Sequence, residues 1–157
     1  MKYASIVPLI GGATIAMQNV LQRKPEYIIS YDDFKANDNH LVEYYKGTVP
    51  YYLYGDNGTP DLPSVEVINT VCPCAGLSSL SPTASSDAAA NDWMLTTADF
   101  VLGTLKPQVF WGENAPGLAS NIGRPVVRKL RKIAESCGYT FSIYKTKSIL
   151  HLSLIHI

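Results

Sequence analysis

Tyr3-Ala-Ser-Ile-Val-Pro-Leu-Ile-Gly-Gly-Ala-Thr-Ile-Ala-Met-Gln-Asn-Val-Leu-Gln22 is the stretch that decides the fold. Its first half, Tyr3 to Ile10, is apolar through Ile6, Val7, Leu9 and Ile10, which predicts a buried strand. Gly11-Gly12 predicts a turn. Ala13 to Gln22 then spaces Ile15, Ala16, Val20 and Leu21 as a helix does, and Pro25 lies just beyond its end. Strand, glycine turn and helix together open a βαβ unit, whose two strands run parallel.

The same alternation continues outward. Tyr27–Tyr31 predicts a second strand, closed by Asp32-Asp33, and Asn37–Tyr45 a helix with Leu41, Val42 and Tyr45 on one face. Tyr51–Tyr54, Val65–Val71 and Gln108–Trp111 predict strands three to five, and Tyr139–Lys145 alternates as a sixth would. Asp92–Leu105, capped by Asn91 or Asp92, and the basic stretch Pro125–Cys137 predict helices. Residues 75–90 are small, polar and without period, the pattern of a long mobile loop, and loops of that length are often functional. The expected architecture is α/β, a doubly wound and mostly parallel sheet, with ligands beyond the carboxyl ends of the strands.

The 157 residues suit one domain. With 46% hydrophobic and 17% charged residues the chain has material for a core and is not of disordered composition. Thirteen basic and thirteen acidic residues cancel, which excludes a strongly basic coat protein but not a local basic face. Three cysteines are too few for a disulfide scaffold and suit a reducing, cytoplasmic setting. No apolar run reaches the roughly 18 residues of a membrane span, and residues 1–17 do not read as a signal peptide. Leu152-Ser-Leu-Ile-His-Ile157 resembles one frame of a sequencing-library adapter. The expectation is that 152–157 are non-native and that 1–151 are part of a longer domain.

Five polar or glycine clusters fall at five expected strand ends. Ile10-Gly11-Gly12 lets a backbone approach a ligand at a helix start. Asp32 or Asp33 follows about 20 residues later, where an acid grips ribose hydroxyls, although either equally suits a helix cap. Asp56, in Gly55-Asp-Asn-Gly58, can accept from an adenine amino group or simply hold its turn. The diphosphate-type Gly-x-Gly-x-x-Gly and the Gly-Lys-Ser/Thr cradle are absent. Adenosine without phosphates fits best, and S-adenosylmethionine is the common cofactor of that kind. Cys74 follows Pro73 at a strand end and should be exposed, whereas Cys72 should stay in the packed sheet end. A metal site is not expected, because the histidines lie far from these cysteines. Glu113, between Gly112 and Asn114, would be costly to bury unpaired.

Val71-Cys-Pro-Cys-Ala-Gly-Leu-Ser78 resembles the Pro-Cys loop of the cytosine-C5 DNA methyltransferases, and Gly112-Glu-Asn-Ala-Pro-Gly117 resembles their Glu-Asn-Val motif. The order and spacing of the glycine turn, ribose acid, Gly-Asp, Pro-Cys and Glu-Asn elements are also similar, over about residues 3–150. The chain departs in four places. Val7-Pro-Leu-Ile-Gly11 lacks the aromatic and first glycine of Phe-x-Gly-x-Gly, Ala75 replaces Gln, Ala115 replaces Val, and an Asp replaces the usual ribose Glu. The Gln-x-Arg-x-Arg motif, target-recognition domain and final cofactor-binding helix are absent.

The resemblance implies an S-adenosylmethionine-dependent methyltransferase fold, incomplete here, acting as a monomer on double-stranded DNA. A cytosine is flipped into the pocket. Cys74 attacks its C6, Glu113 holds N3 and the exocyclic amine, Pro73 and Asn114 complete the two motifs, and Ile10, Gly11, Gly12, Asp32, Asp33 and Asp56 bind cofactor. Loop 77–90 would close over the base. Arg124, Arg128, Lys129, Arg131 and Lys132 either contact phosphates or form a solvated helix face. By itself this chain is expected to be inactive. The competing readings are an inactive DNA-associated homologue and, less well supported, an unrelated nucleotide-binding dehydrogenase.

Overall fold

The computed structural model describes residues 1–54 and 61–146. Five strands, β1 (Tyr3–Ile6), β2 (Ile28–Tyr31), β3 (Tyr51–Tyr54), β4 (Val67–Thr70) and β5 (Val109–Gly112), form one sheet in the order β3-β2-β1-β4-β5. Every pair is parallel. Helices α1 (Gly12–Leu21), α2 (Asn39–Tyr45), α3 (Ala90–Phe100) and α4 (Arg124–Ser136) flank it, a Rossmann-like doubly wound fold. The strand order turns back between β1 and β4, the place where such sheets open a crevice beyond their carboxyl ends.

Central strands of a parallel sheet are covered on both faces, so they must be apolar nearly throughout. β1, β2 and β4 are buried at every residue. Alternation then divides the core. Ile28 packs with Leu41 and Tyr45 of α2 on one side. Ile29 joins Ala4, Ile6, Ile68, Phe100 and Val101 on the other. A third cluster, with Cys72, Leu77, Met94, Val126 and Leu130, ties α3 and α4 to the sheet end. Each such Leu or Ile side chain contributes about 1.5–3 kcal/mol by leaving water.

Three expectations are corrected. The first strand ends at Ile6 rather than Ile10, because Val7 and Leu9 take positive φ of 48° and 51° and turn the chain. The helix expected over Asp92–Leu105 begins at Ala90 without a side-chain cap, and its last turn, Val101–Leu105, widens to a π-helix. Tyr139–Lys145 is not a strand. Its alternation is used otherwise. Phe141 packs on the α3–α4 cluster, Tyr139 Oη donates to Pro107 O at 2.6 Å, and Ile143 and Tyr144 are exposed. Alternation supplies a face to bury but no partner to pair with. Between this segment and β5 lies a groove of about 670 Å³, walled by Val109, Phe110, Phe141 and Tyr144.

Asp38 was not singled out by the sequence. It is fully buried at the start of α2, with Tyr51 Oη donating to its Oδ2 at 2.7 Å. Among the described residues, Asp38 Oδ1 and Ser30 Oγ have no hydrogen-bond partner. Burial pushes the Asp38 carboxyl above its ordinary 3.8, against the opposing pull of the neighbouring Ser30 and Tyr51 hydroxyls and the Leu9 amide. Below that ordinary value both folded and unfolded chains hold the proton. As pH rises past it, the unfolded chain ionises first and stability falls until the folded carboxyl ionises too. Urea melts across this range should show a slope of up to about 1.4 kcal/mol per pH unit. Asp38→Asn should flatten it, and an unchanged slope would remove Asp38 as its source.

Candidate active site

The strand ends are brought to one side by the parallel sheet, and the candidate residues follow the strands. Gly11 caps α1 with φ of 86°, and its carbonyl accepts the Ile15 amide at 2.9 Å. A side chain there would crowd Leu41, with Cδ2 2.9 Å from the added carbon, and the left-handed backbone itself favours glycine. Gly12 is different: it is exposed and open space surrounds it. α1 has no side-chain cap, so its first amides stay available beside that opening. Leu9 occupies the first-glycine position of the resembled motif and keeps the left-handed backbone a glycine would take. Its side chain packs against the core cluster of β1, β2 and β4, and exposed Ile10 follows it.

Asp32 and Asp33 are both exposed, on a 3₁₀ turn (Asp32–Phe34) directly after β2. Asp32 Oδ1 accepts from Lys35 Nζ at 2.7 Å, and Asp33 makes no salt bridge among the described residues. An aromatic cluster that sequence reasoning missed holds this turn. Phe34 and Tyr31 each lie 4.8 Å from the Trp93 ring, and Tyr54 lies 5.7 Å from Tyr31. Trp93 sits far along the chain on α3, so no local pattern announces the contact. Asp56 lies outside the described residues, as do 152–157.

Beyond β4 the chain separates its two cysteines as expected. Cys72 is buried, 3.3 Å from Thr70 Oγ1, and burial pushes its thiol up, which disfavours the reactive thiolate. Cys74 is exposed after half-buried Pro73. Its carbonyl accepts the Leu77 and Ser78 amides, both at 2.9 Å, closing a tight turn. Beyond β5, Glu113 is exposed, so the expected cost of burying it does not arise. Asn114 Nδ2 donates to Cys72 O at 3.2 Å, and its Oδ1 accepts the Ala115 amide at 2.9 Å. Gly117 touches the Leu77 carbonyl so closely that a side chain would overlap it. Two motifs far apart in sequence thus form one rim.

Loop 75–89 is tied at its base. The Ser85 amide donates to Gly76 O at 2.9 Å, and buried Asn91 donates to the carbonyls of Ser85 and Ser86. Asn91 therefore holds the loop rather than capping α3, because its side chain reaches backward to those carbonyls. The β5 groove is walled by Cys72, Glu113 and Asn114 but not by Cys74 or Gly11. It follows β5, the edge of the sheet among the described residues, and takes no part of its lining from α1.

Among the described residues no group of three or more His, Cys, Asp or Glu is placed to hold a metal, and no helix is long and apolar enough to cross a membrane. Comparison of the chain with protein-family models gives no match, and comparison with curated proteins gives none either. The functional reading therefore rests on these residues and their arrangement.

Proposed function

We propose that this chain carries part of the catalytic domain of a DNA cytosine-C5 methyltransferase. The observation that carries the reading is the hydrogen bond from Asn114 to the Cys72 carbonyl, which ties the Glu113 loop to the Cys74 loop at the ends of adjacent parallel strands. Cys74, as thiolate, adds to C6 of a flipped cytosine; the S–C6 bond forms and the C5–C6 electron pair moves to C5. Glu113 holds N3 and the exocyclic amine and stabilises the charge that develops on the ring. Asn114 and Pro73 position these two groups. Once C5 carries the methyl group, its proton passes to a solvent base, the S–C6 bond breaks, and the aromatic ring and the free Cys74 thiolate are restored.

The strand-end residues fit the adenosine end of S-adenosylmethionine. Gly12 offers open space at an uncapped helix start, and two exposed carboxylates end the neighbouring strand. Gly11, Gly12 and Ile10 would hold the ligand at the turn, and Asp32 or Asp33 its ribose hydroxyls. S-adenosylmethionine, when bound, supplies the methyl group that C5 takes. Replacing Asp32 and Asp33 together with alanine should weaken its binding by about 1.5–3 kcal/mol for each charged hydrogen bond removed. Calorimetry on the double variant decides this, and unchanged affinity would move the ribose elsewhere.

One observation favours a second reading, an inactive DNA-associated homologue. Leu9 places a side chain in the turn where the resembled motif keeps glycine. Covalent trapping on DNA containing 5-fluorocytosine separates the two, because only an active nucleophile forms the adduct.

A further inference from the structure

α4 carries its charges against the grain of helix stability. Val126, Leu130 and Ala134 form its buried stripe. Arg124, Arg128, Lys129, Arg131 and Lys132 are all exposed. At 3.6 residues per turn these five share roughly half the circumference, opposite the buried stripe. Arg124 and Arg128, and Arg128 and Lys132, are like charges four residues apart, an arrangement that destabilises a helix. The first turn holds no acid and the last turn no base, the reverse of what the helix dipole favours.

Among the described residues no salt bridge involves this face. The salt bridges among the described residues are Arg23–Glu26, Lys35–Asp32 and Lys46–Glu43, all on other elements. Arg124 Nη2 donates to the neutral Asn121 Oδ1 at 2.7 Å, and Arg131 lies 5.8 Å from the Phe141 ring. Glu135 is the one acid in the helix. Since the whole chain is formally neutral, the concentration is local. The helix also follows Glu113-Asn114 in the chain, with the 3₁₀ turn Pro116–Ala119 between them. A cationic face kept at a cost to its own helix is complementary to a polyanion.

We propose that the exposed face of α4 contacts the phosphates of duplex DNA. The choice of DNA as the polyanion rests on the methyltransferase reading. The test is fluorescence anisotropy of the full chain with a labelled mixed-sequence duplex, from about 50 to about 200 mM salt. In Arg128→Gln/Arg131→Gln/Lys132→Gln the log–log salt slope should flatten by about 0.9 for each phosphate no longer neutralised, weakening low-salt binding by tenfold or more. Lys24→Gln/Lys35→Gln/Lys46→Gln should keep the original slope. Since all the altered side chains are exposed, thermal melts should not fall, which excludes misfolding, and relief of the like-charge pairs should raise the melt of the α4 variant slightly. Equal slopes in the two variants would overturn the proposal. So would a chain that ignores DNA but binds phosphatidylserine vesicles through α4. The 5-fluorocytosine adduct is scored separately, in the gene product that contains this chain, because the chain by itself is expected to be inactive. A missing adduct with an α4-dependent slope sinks the methyltransferase reading and leaves the surface standing, and the converse result does the opposite.

Discussion

Cys74→Ser is expected to abolish covalent capture of DNA carrying 5-fluorocytosine, a loss of several orders of magnitude, in the gene product that contains this chain. In the presence of S-adenosylmethionine, once C5 has taken the methyl group the fluorine cannot leave as the C5 proton does, so the adduct through Cys74 accumulates and is read on a denaturing gel. A serine hydroxyl at the same place is almost wholly protonated near neutral pH and adds to C6 far more slowly. Cys72→Ser should retain most of the adduct. Its thiol is buried against Thr70 and held in the neutral form, so it contributes packing rather than attack. Glu113→Gln should slow adduct formation strongly while leaving the fold intact, since Glu113 is exposed. An adduct that survives Cys74→Ser would assign the chemistry to another residue.

Gly117→Ala should be the most disruptive single methyl in the site. The added carbon would overlap the Leu77 carbonyl, which is backbone and cannot rotate away. Leu77 is itself held, its amide donating to Cys74 O at 2.9 Å. The two loops must therefore separate, and the Asn114 bond to Cys72 O, at 3.2 Å, is the one that opens. Overpacking of this kind costs about 1–3 kcal/mol, and adduct formation should fall with it. Gly12→Ala is the matched control, because its methyl meets nothing within 4 Å. It should be neutral, or stabilising by about 0.4–1 kcal/mol through the unfolded chain. Urea denaturation of both variants settles the comparison. Equal midpoints would mean that the two loops do not touch at Gly117.

Much of the site was legible because strand ends are marked locally. Exposed Cys74 and buried Cys72 followed from one proline between them, and both acids after β2 stand at the surface where the strand stops. Asp38 was not legible. A polar residue at a helix start ordinarily caps it in water, and only the packing of α2 against β3 buries this one under Tyr51. Trp93 was equally silent, since its partners Tyr31 and Phe34 are brought to it by the sheet. The expectation of a sixth strand failed because alternation in Tyr139–Lys145 is satisfied by half-burying Tyr139 and Phe141, one bonded to Pro107 O and the other packed on the α3–α4 cluster.

By itself, the sequence determined the five strands and four helices of the sheet and its flanks, that the strands are parallel, and that Cys74, Glu113 and the two acids after β2 stand at strand ends. These are local properties: hydrophobic period, glycine and proline placement, and short-range spacing act within a turn or a strand. Only the tertiary structure decided that β4 lies beside β1 and β5 beside β4, that Asn114 reaches Cys72, that Gly117 seats on Leu77, and that Leu9 keeps a glycine-like turn. Those facts depend on which distant segments share a boundary. No single segment encodes that choice, because it is made by burying the faces of all the elements at once.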